Sequence, residues 1–223
     1  MNKKKAIPGY DYPTQDSSKL RSLLDRPMDT FDLVAVNDII SASLVHSDKR
    51  TIQLYENWLL WLGGKFYEPL SRTQDAERIV AGRGGLCSEV SAVMNRIAER
   101  NGLEARFIGL NGHVVSEIKT ENGWRVADPD YGVTYAVGLG YLEGEHGPQT
   151  MKSALRGMGY NDKTIESYIK IFQSSEDNVV SDVGIALSPR LYRAEMIAEW
   201  LKWIIPVLLI LGGISYTRKH IIA

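Results

Sequence analysis

Apolar positions along the chain follow three rhythms, and each predicts a different kind of element. Helical spacing dominates the first third. In Phe31–Val45 the residues Phe31, Leu33, Val34, Ile39, Ile40 and Leu44 recur on one face, and Asp29-Thr30 offers a cap at the start. Thr51–Leu62 continues with Ile52, Leu54, Tyr55, Trp58, Leu59 and Leu62, and Gly63-Gly64 ends it. Residues 17–63 therefore predict two or three helices. Asp75–Ala81 predicts a short helix leading into Gly82-Arg83-Gly84-Gly85, and Cys87–Arg100 carries a regular stripe of Val90, Val93, Met94, Ile97 and Ala98 that Asn101-Gly102 terminates. The rhythm then shortens to two. Glu104–Leu110, His113–Lys119 and Gly123–Asp128 predict strands, with Val133–Val137 a further candidate. Residues 148–173 return to helix. Ser174–Pro189 reads as a polar connection to the C-terminal segment.

The third rhythm is an unbroken apolar run at the end. A bilayer core of about 30 Å needs about 20 helical residues, which Ile197–Tyr216 supplies. The uninterrupted part, Trp203–Ile214, is 12 residues long. Glu199 and Lys202 lie near its beginning, where long side chains snorkel to headgroups. Trp200, Trp203 and Tyr216 suit the two interfacial belts, and Arg218-Lys219 stops the segment. Pro206 and Gly212-Gly213 are tolerated in membrane helices. A core helix of a soluble domain is the competing reading, but a segment apolar on every face favours a membrane as its partner.

Composition adjusts this picture only slightly. At 223 residues the chain suits one domain plus an appendage: a solvated arm over 1–16, a domain over 17–190 and a membrane anchor over 191–223. The first residues carry a positive cluster with no apolar stretch behind it, unlike a secretory signal. Basic residues flank both sides of the apolar run and set no orientation; with no signal-like start, a tail anchor with the domain in the cytoplasm is the expectation. The net charge of -1 without a basic cluster gives no reason to expect nucleic acid. The single cysteine rules out an internal disulfide and CxxC motifs. No cofactor or metal is expected, and nothing in the chain specifies an oligomeric state.

That cysteine is the first of three chemically informative residues. Cys87 follows glycines and opens a helix, where backbone N–H groups and the helix dipole favour a thiolate. Gly84 and Gly85 permit a tight turn with room for a substrate carbonyl, and the Cys87 N–H is a candidate oxyanion donor. His113 opens one strand and Asp128 closes the next, with Asn122-Gly123 marking the turn between them. A two-residue loop pairs residues whose numbers sum to 245, and a four-residue loop at 120–123 gives 243. Both registers put His113 and Asp128 on one face of the sheet, and the second makes them diagonal neighbours. A nucleophile, its base and the group that orients the base follow from these types in this order. Asp130 shares the parity of Asp128 and is the rival orienter. Taken singly, each residue has a plainer role: a small buried cysteine, a structural histidine, and an aspartate before proline that caps a turn.

Around these residues GRGGLCSEVSAVM, NGLEARFIG, GHVVSEI and NGWRVADPDYG stand in order through about 50 residues. The segment resembles the transglutaminase-like domain of the papain-like cysteine superfamily. The resemblance implies an α+β fold with a cysteine-bearing helix packed on an antiparallel sheet, with Cys87 as nucleophile, His113 as base and Asp128 as orienter. Val115 departs from the family, which often has an aromatic residue two positions after the histidine. The implied activity is hydrolysis or acyl transfer at a peptide or amide bond through an acyl-enzyme. A non-catalytic module binding a peptide in the same cleft, or a subunit of a membrane complex, is the alternative.

Other polar residues promise less. Glu143, Glu145 and His146 have ligand chemistry but the composition of a solvent loop. His46 and His220 sit beside polar residues and are expected to be exposed. Glu89 in the first helical turn is expected to be structural or to meet a polar substrate group. Trp124 and Tyr131 are expected to pack the sheet or line a cleft.

Overall fold

A computed structural model describes residues 17–221, the side chains of 175 and 216–221 excepted; the expected arm over 1–16 lies outside the described residues. The elements begin with α1 (Ser18–Asp25), α2 (Leu33–Ser43), β1 (Val45–His46), α3 (Trp58–Gly63), α4 (Ala76–Ala81) and β2 (Gly84–Gly85). They continue with α5 (Cys87–Arg100), β3 (Ala105–Leu110), β4 (His113–Thr120), β5 (Gly123–Asp128) and β6 (Val133–Thr134). Last come α6 (Leu139–Glu143), α7 (Gly147–Gly157), α8 (Asp162–Gln173), β7 (Val179–Val183) and α9 (Pro189–Ile221). They form two compact units: one runs to Arg50 and resumes over Gln74–Leu187, and the other joins Thr51–Thr73 to the chain from Ser188 onward. Residues 51–73 thus group with the C-terminal helix and not with the rest of the 17–190 block.

The first unit is mixed α+β. Its sheet has the order β6-β5-β4-β3-β7, antiparallel throughout. One apolar layer joins α1, α2, α4 and α5 to Phe107, Ile118 and Ala127 of the sheet. A second joins α6, α7 and α8 to Ile108, Val115 and Val126. Successive strand residues point to opposite faces, so each strand feeds both layers. Truncating a fully buried residue such as Ile97 or Phe107 to alanine costs about 2–5 kcal/mol.

Local departures from the expected elements have identifiable causes. Asp32, not Asp29-Thr30, caps α2: its Oδ1 accepts from the Val34 and Ala35 N–H groups at 2.9 and 3.2 Å. That helix ends at Ser43 because Val45 and His46 pair in parallel with Gly84 and Gly85. The polar connection Ser174–Pro189 contains β7, which adds to β3 across a bulge, where the Phe107 N–H donates to the Ser181 hydroxyl at 2.9 Å. As an edge strand with mostly exposed side chains, β7 carries no apolar alternation to read. The β4–β5 hairpin adopts the 243 register, Ser116 opposite Ala127, but turns tightly at Glu121-Asn122 with Gly123 at φ 95°.

In the second unit the helix expected over Thr51–Leu62 is confined to Trp58–Gly63. The Asn57 side chain accepts from the Leu59 and Leu60 N–H groups, both at 3.1 Å, and starts the helix there. Ile52 and Leu60 pack against Ala198 of α9. Glu199 and Lys202 do not reach away as expected. They pair at 2.7 Å, Lys202 donates to the Glu56 carbonyl at 2.9 Å, and Asn57 donates to Glu199 at 2.8 Å. Trp58 donates its indole N–H to the Lys202 carbonyl at 3.1 Å, and Thr73 donates to the buried Glu195 carboxylate. From Trp203 to Ile214 the helix is apolar and mostly exposed. The span Pro189–Ser215 is long and apolar enough to cross a membrane, with 6% of its apolar window buried.

Candidate active site

Cys87 and His113 each stand at the first position of an element, and two hydrogen bonds set those elements against each other. The Ser91 hydroxyl donates to the Val114 carbonyl at 3.2 Å, and the Ser116 hydroxyl donates to the Ser91 carbonyl at 3.1 Å. Ser91 lies one helical turn after Cys87, on the same face of α5, and Val114 follows His113. The cross-link therefore carries the first turn of α5 to the start of β4. Sequence reasoning missed both serines, because the contact spans 23–25 positions.

The approach to Cys87 is fixed by close backbone packing. Val45 donates its N–H to the Arg83 carbonyl at 3.1 Å, and Ser47 donates to Gly85 at 2.9 Å. A Cβ on Gly84 would collide with the Val45 carbonyl oxygen, so glycine is required there. Glu89 is structural. Its Oε2 accepts the Leu86 N–H at 2.7 Å, forming the carboxylate half of a capping box. The Cys87 N–H, at the first helical position, has no carbonyl partner within its own helix.

The three sequence-predicted residues come together. His113 Nε2 lies 2.7 Å from Asp128 Oδ2, and Cys87 is near enough to act on the same ring electrostatically. His113 is 6% exposed and Asp128 is fully buried, while Cys87 is half-buried. Burial works to lower the His113 pKa. The charge and hydrogen bond of Asp128, joined by those of Cys87, outweigh it and raise the pKa well above 6.5. The raised pKa favours the imidazolium form of His113 beside Asp128.

Asp128 uses both oxygens. Oδ1 accepts the N–H groups of Asp130 and Tyr131 at 3.0 and 3.1 Å, so it caps the turn after β5. Oδ2 accepts from His113 and from the Tyr168 hydroxyl, the latter at 3.0 Å. Turn capping and histidine pairing thus occupy the two oxygens of one carboxylate. Tyr168 was not legible as a site residue. On α8 it falls in the stripe Ile165, Tyr168, Phe172 and reads as core, 40 positions from its partner.

Aromatic rings close the corner behind the imidazole. Tyr131 meets His113 edge-on, with ring centres 5.4 Å apart, and Tyr168 does so at 6.3 Å. Tyr160 donates to the Tyr131 carbonyl at 2.8 Å. Burial, with the nearby charges of Asp128, Asp130 and Cys87, pushes the Tyr131 hydroxyl up to about 12. It stays a neutral phenol beside the thiol. Trp124 belongs elsewhere, under the Arg106 guanidinium at 4.0 Å.

Asp130 does not orient His113. Its carboxylate faces His46, whose Nδ1 lies 3.0 and 2.9 Å from the two oxygens. His46, expected to be exposed, is half-buried on β1 beside Gly85. Glu143 accepts from Asn178 at 2.7 Å. Among the described residues no three His, Cys, Asp or Glu side chains are grouped to hold a metal; the His220 side chain lies outside them.

Comparison of the chain with protein-family models and with curated proteins finds no match. The functional reading therefore stands on the geometry of the corner.

Proposed function

We propose that the protein is a cysteine-dependent hydrolase or acyl transferase of the transglutaminase-like kind, held to a membrane by α9, that opens a peptide or amide bond through an acyl-enzyme on Cys87. The observation that carries the reading is the His113 imidazole bonded to the buried Asp128, with the one cysteine of the sequence acting on the same ring.

The chemistry begins with transfer of the Cys87 thiol proton to His113. The Cys87 thiolate attacks the substrate carbonyl carbon, and the oxyanion that forms takes the first-turn N–H of α5. His113 gives its Nδ1 proton to the leaving amine as the C–N bond breaks, leaving a thioester on Cys87 and a neutral imidazole. Water then gives a proton to Nδ1 as its oxygen attacks the thioester, and the acid leaves with the thiolate and imidazolium restored. An amine in place of water gives transfer. Hydrolysis is the favoured outcome because water is always present. Asp128 fixes the ring throughout and stabilises its cationic form.

The test is to trap the thioester. Incubation with a panel of peptide amides and thioesters, acid quench and intact mass measurement should show an acyl adduct on Cys87 that Cys87→Ala lacks. Iodoacetamide should label Cys87 readily at pH values well below about 8.5, where an ordinary cysteine is slow. No adduct from any acyl donor, together with labelling only near that value, would sink the reading.

A further inference from the structure

We infer that residues 51–58 form a membrane-seated collar around the entry of α9, with Leu54 and Tyr55 inserted into the interfacial layer of a phospholipid bilayer. The inference rests on α9 crossing that bilayer and adds a second element to the membrane contact. It is independent of the chemistry at Cys87.

The argument starts from length. Fifteen residues separate Lys202 from Arg218. At about 1.5 Å per residue they span roughly 22 Å, short of a hydrocarbon core of about 30 Å. About five further residues must enter the membrane, or the bilayer must thin. At the C-terminal side stand two adjacent cations, Arg218 and Lys219, which cannot neutralise each other. At the other side the charges are already matched. Lys202 pairs with Glu199 at 2.7 Å and with the Glu56 carbonyl, and Glu199 also accepts from Asn57. Matched and hydrogen-bonded charges cost far less to desolvate than single ones. The shortfall therefore falls at Ala198–Lys202, and whatever packs there is drawn to headgroup depth.

What packs there is the segment 51–58. Glu56 and Trp58 bond to Lys202 itself, which puts their neighbours at its level. Tyr55 is 87% exposed and Leu54 55%, side chains that a water-facing turn has no reason to present together. Trp200 and Trp203 are also exposed on α9 at this level, 74% and 70%. Tyrosine and tryptophan with one apolar and one polar end are the residues that settle at the headgroup boundary. On α9 the exposed Trp203 and Ile204 lead toward the exposed run Val207–Leu211, so a lipid phase that covers that run reaches the level of Lys202. A second copy of the chain could cover the same surface, and the test separates the two.

The experiment uses the full chain in phosphatidylcholine vesicles with a minority of phosphatidylglycerol. Replacing Cys87 by serine removes the only native thiol, and single cysteines are then placed at 54, 55 or 209 for an environment-sensitive fluorophore. Circular dichroism and proteolysis screen the variants for folding. A label at 209 should be quenched by lipid-borne quenchers deep in the acyl chains. Labels at 54 and 55 should move to shorter emission wavelength on reconstitution, lose quenching by aqueous iodide, and respond most to shallow lipid quenchers. If 209 responds and 54 and 55 stay open to iodide, the collar is wrong although α9 spans. If 209 does not respond, α9 does not span and the collar falls with it. If 54 and 55 are shielded from iodide without lipid quenching and transfer energy between copies, a second chain occupies the surface.

Discussion

Two histidine–aspartate pairs have carboxylates two positions apart, and only one has the surroundings that the proposed chemistry needs. His113 meets one oxygen of Asp128 through Nε2, with side chains 6% and 0% exposed. His46 meets both oxygens of Asp130 through Nδ1, with side chains 33% and 9% exposed. Residue types and distances are nearly the same, so neither decides the role. The difference lies in what else each group touches. Asp128 is held from four directions, and its histidine is also within the electrostatic reach of Cys87. Asp130 lies on the turn that Asp128 caps, and it fastens that turn to β1. A His–Asp pair becomes chemical machinery when its remaining lone pairs and protons are fixed as well.

The sharpest way to break this comparison is to delete the thiol or the ring. Cys87→Ala and His113→Ala should each remove about 10⁴-fold or more of acyl transfer, and the double variant should be little worse than either, since the residues act as one unit. Multiplying losses would mean that the two act separately.

The next contrast sets the carboxylates against each other. Asp128→Ala should cost about 10²–10⁴-fold in turnover and roughly 3–5 kcal/mol of stability, because it strands buried donors. Asp130→Ala should cost less than about 1 kcal/mol, as for a partly exposed pair. Single-turnover rates and denaturant melts measure both. A harmless Asp128→Asn beside a severe Asp130→Asn would reverse the assignment.

Titration follows from the raised His113 pKa. A histidine whose pKa rises on folding contributes stability that is fully present below about 6.5 and fades as pH climbs through the folded value. The stability gap between the wild type and His113→Gln should therefore narrow as pH rises above that point. Asp128→Asn removes the charge that most opposes the effect of burial, so the alkaline limb of activity should move to lower pH. An unmoved limb would mean that another group titrates there.

Smaller effects come from the supports. Tyr168→Phe removes one hydrogen bond to Asp128 and should cost about 1–1.5 kcal/mol, or up to about tenfold in rate. His46→Gln should change turnover least. Equal losses at Tyr168 and His46 would erase the distinction between the two pairs.

The local half of this site was legible. The bounds of Cys87–Arg100 and the parity of His113 and Asp128 follow from periods that a single segment displays. The supports were not, because each is a contact between segments. Ser91 looks like any helical serine, and Tyr168 looks like core, until β4 and Asp128 are set beside them. Asp130 illustrates the limit. Alternation gave it the same parity as Asp128, but the turn that Asp128 caps carries it out of the strand and on to His46. The same reasoning covers residues 51–73, whose helical pattern says nothing of a partner near residue 200.

That partnership also orders the making of the protein. Trp58 and Lys202, which bond to each other, are 144 positions apart. At a synthesis rate of about 5–20 residues per second, the second is added roughly 7–30 s after the first. During that interval Ile52 and Leu60 have no α9 to cover them, and closing so long a loop adds its own entropic cost. The unit is completed only once the residues around Lys202 have been made, so the step that buries these residues is also the step that brings the apolar helix into play.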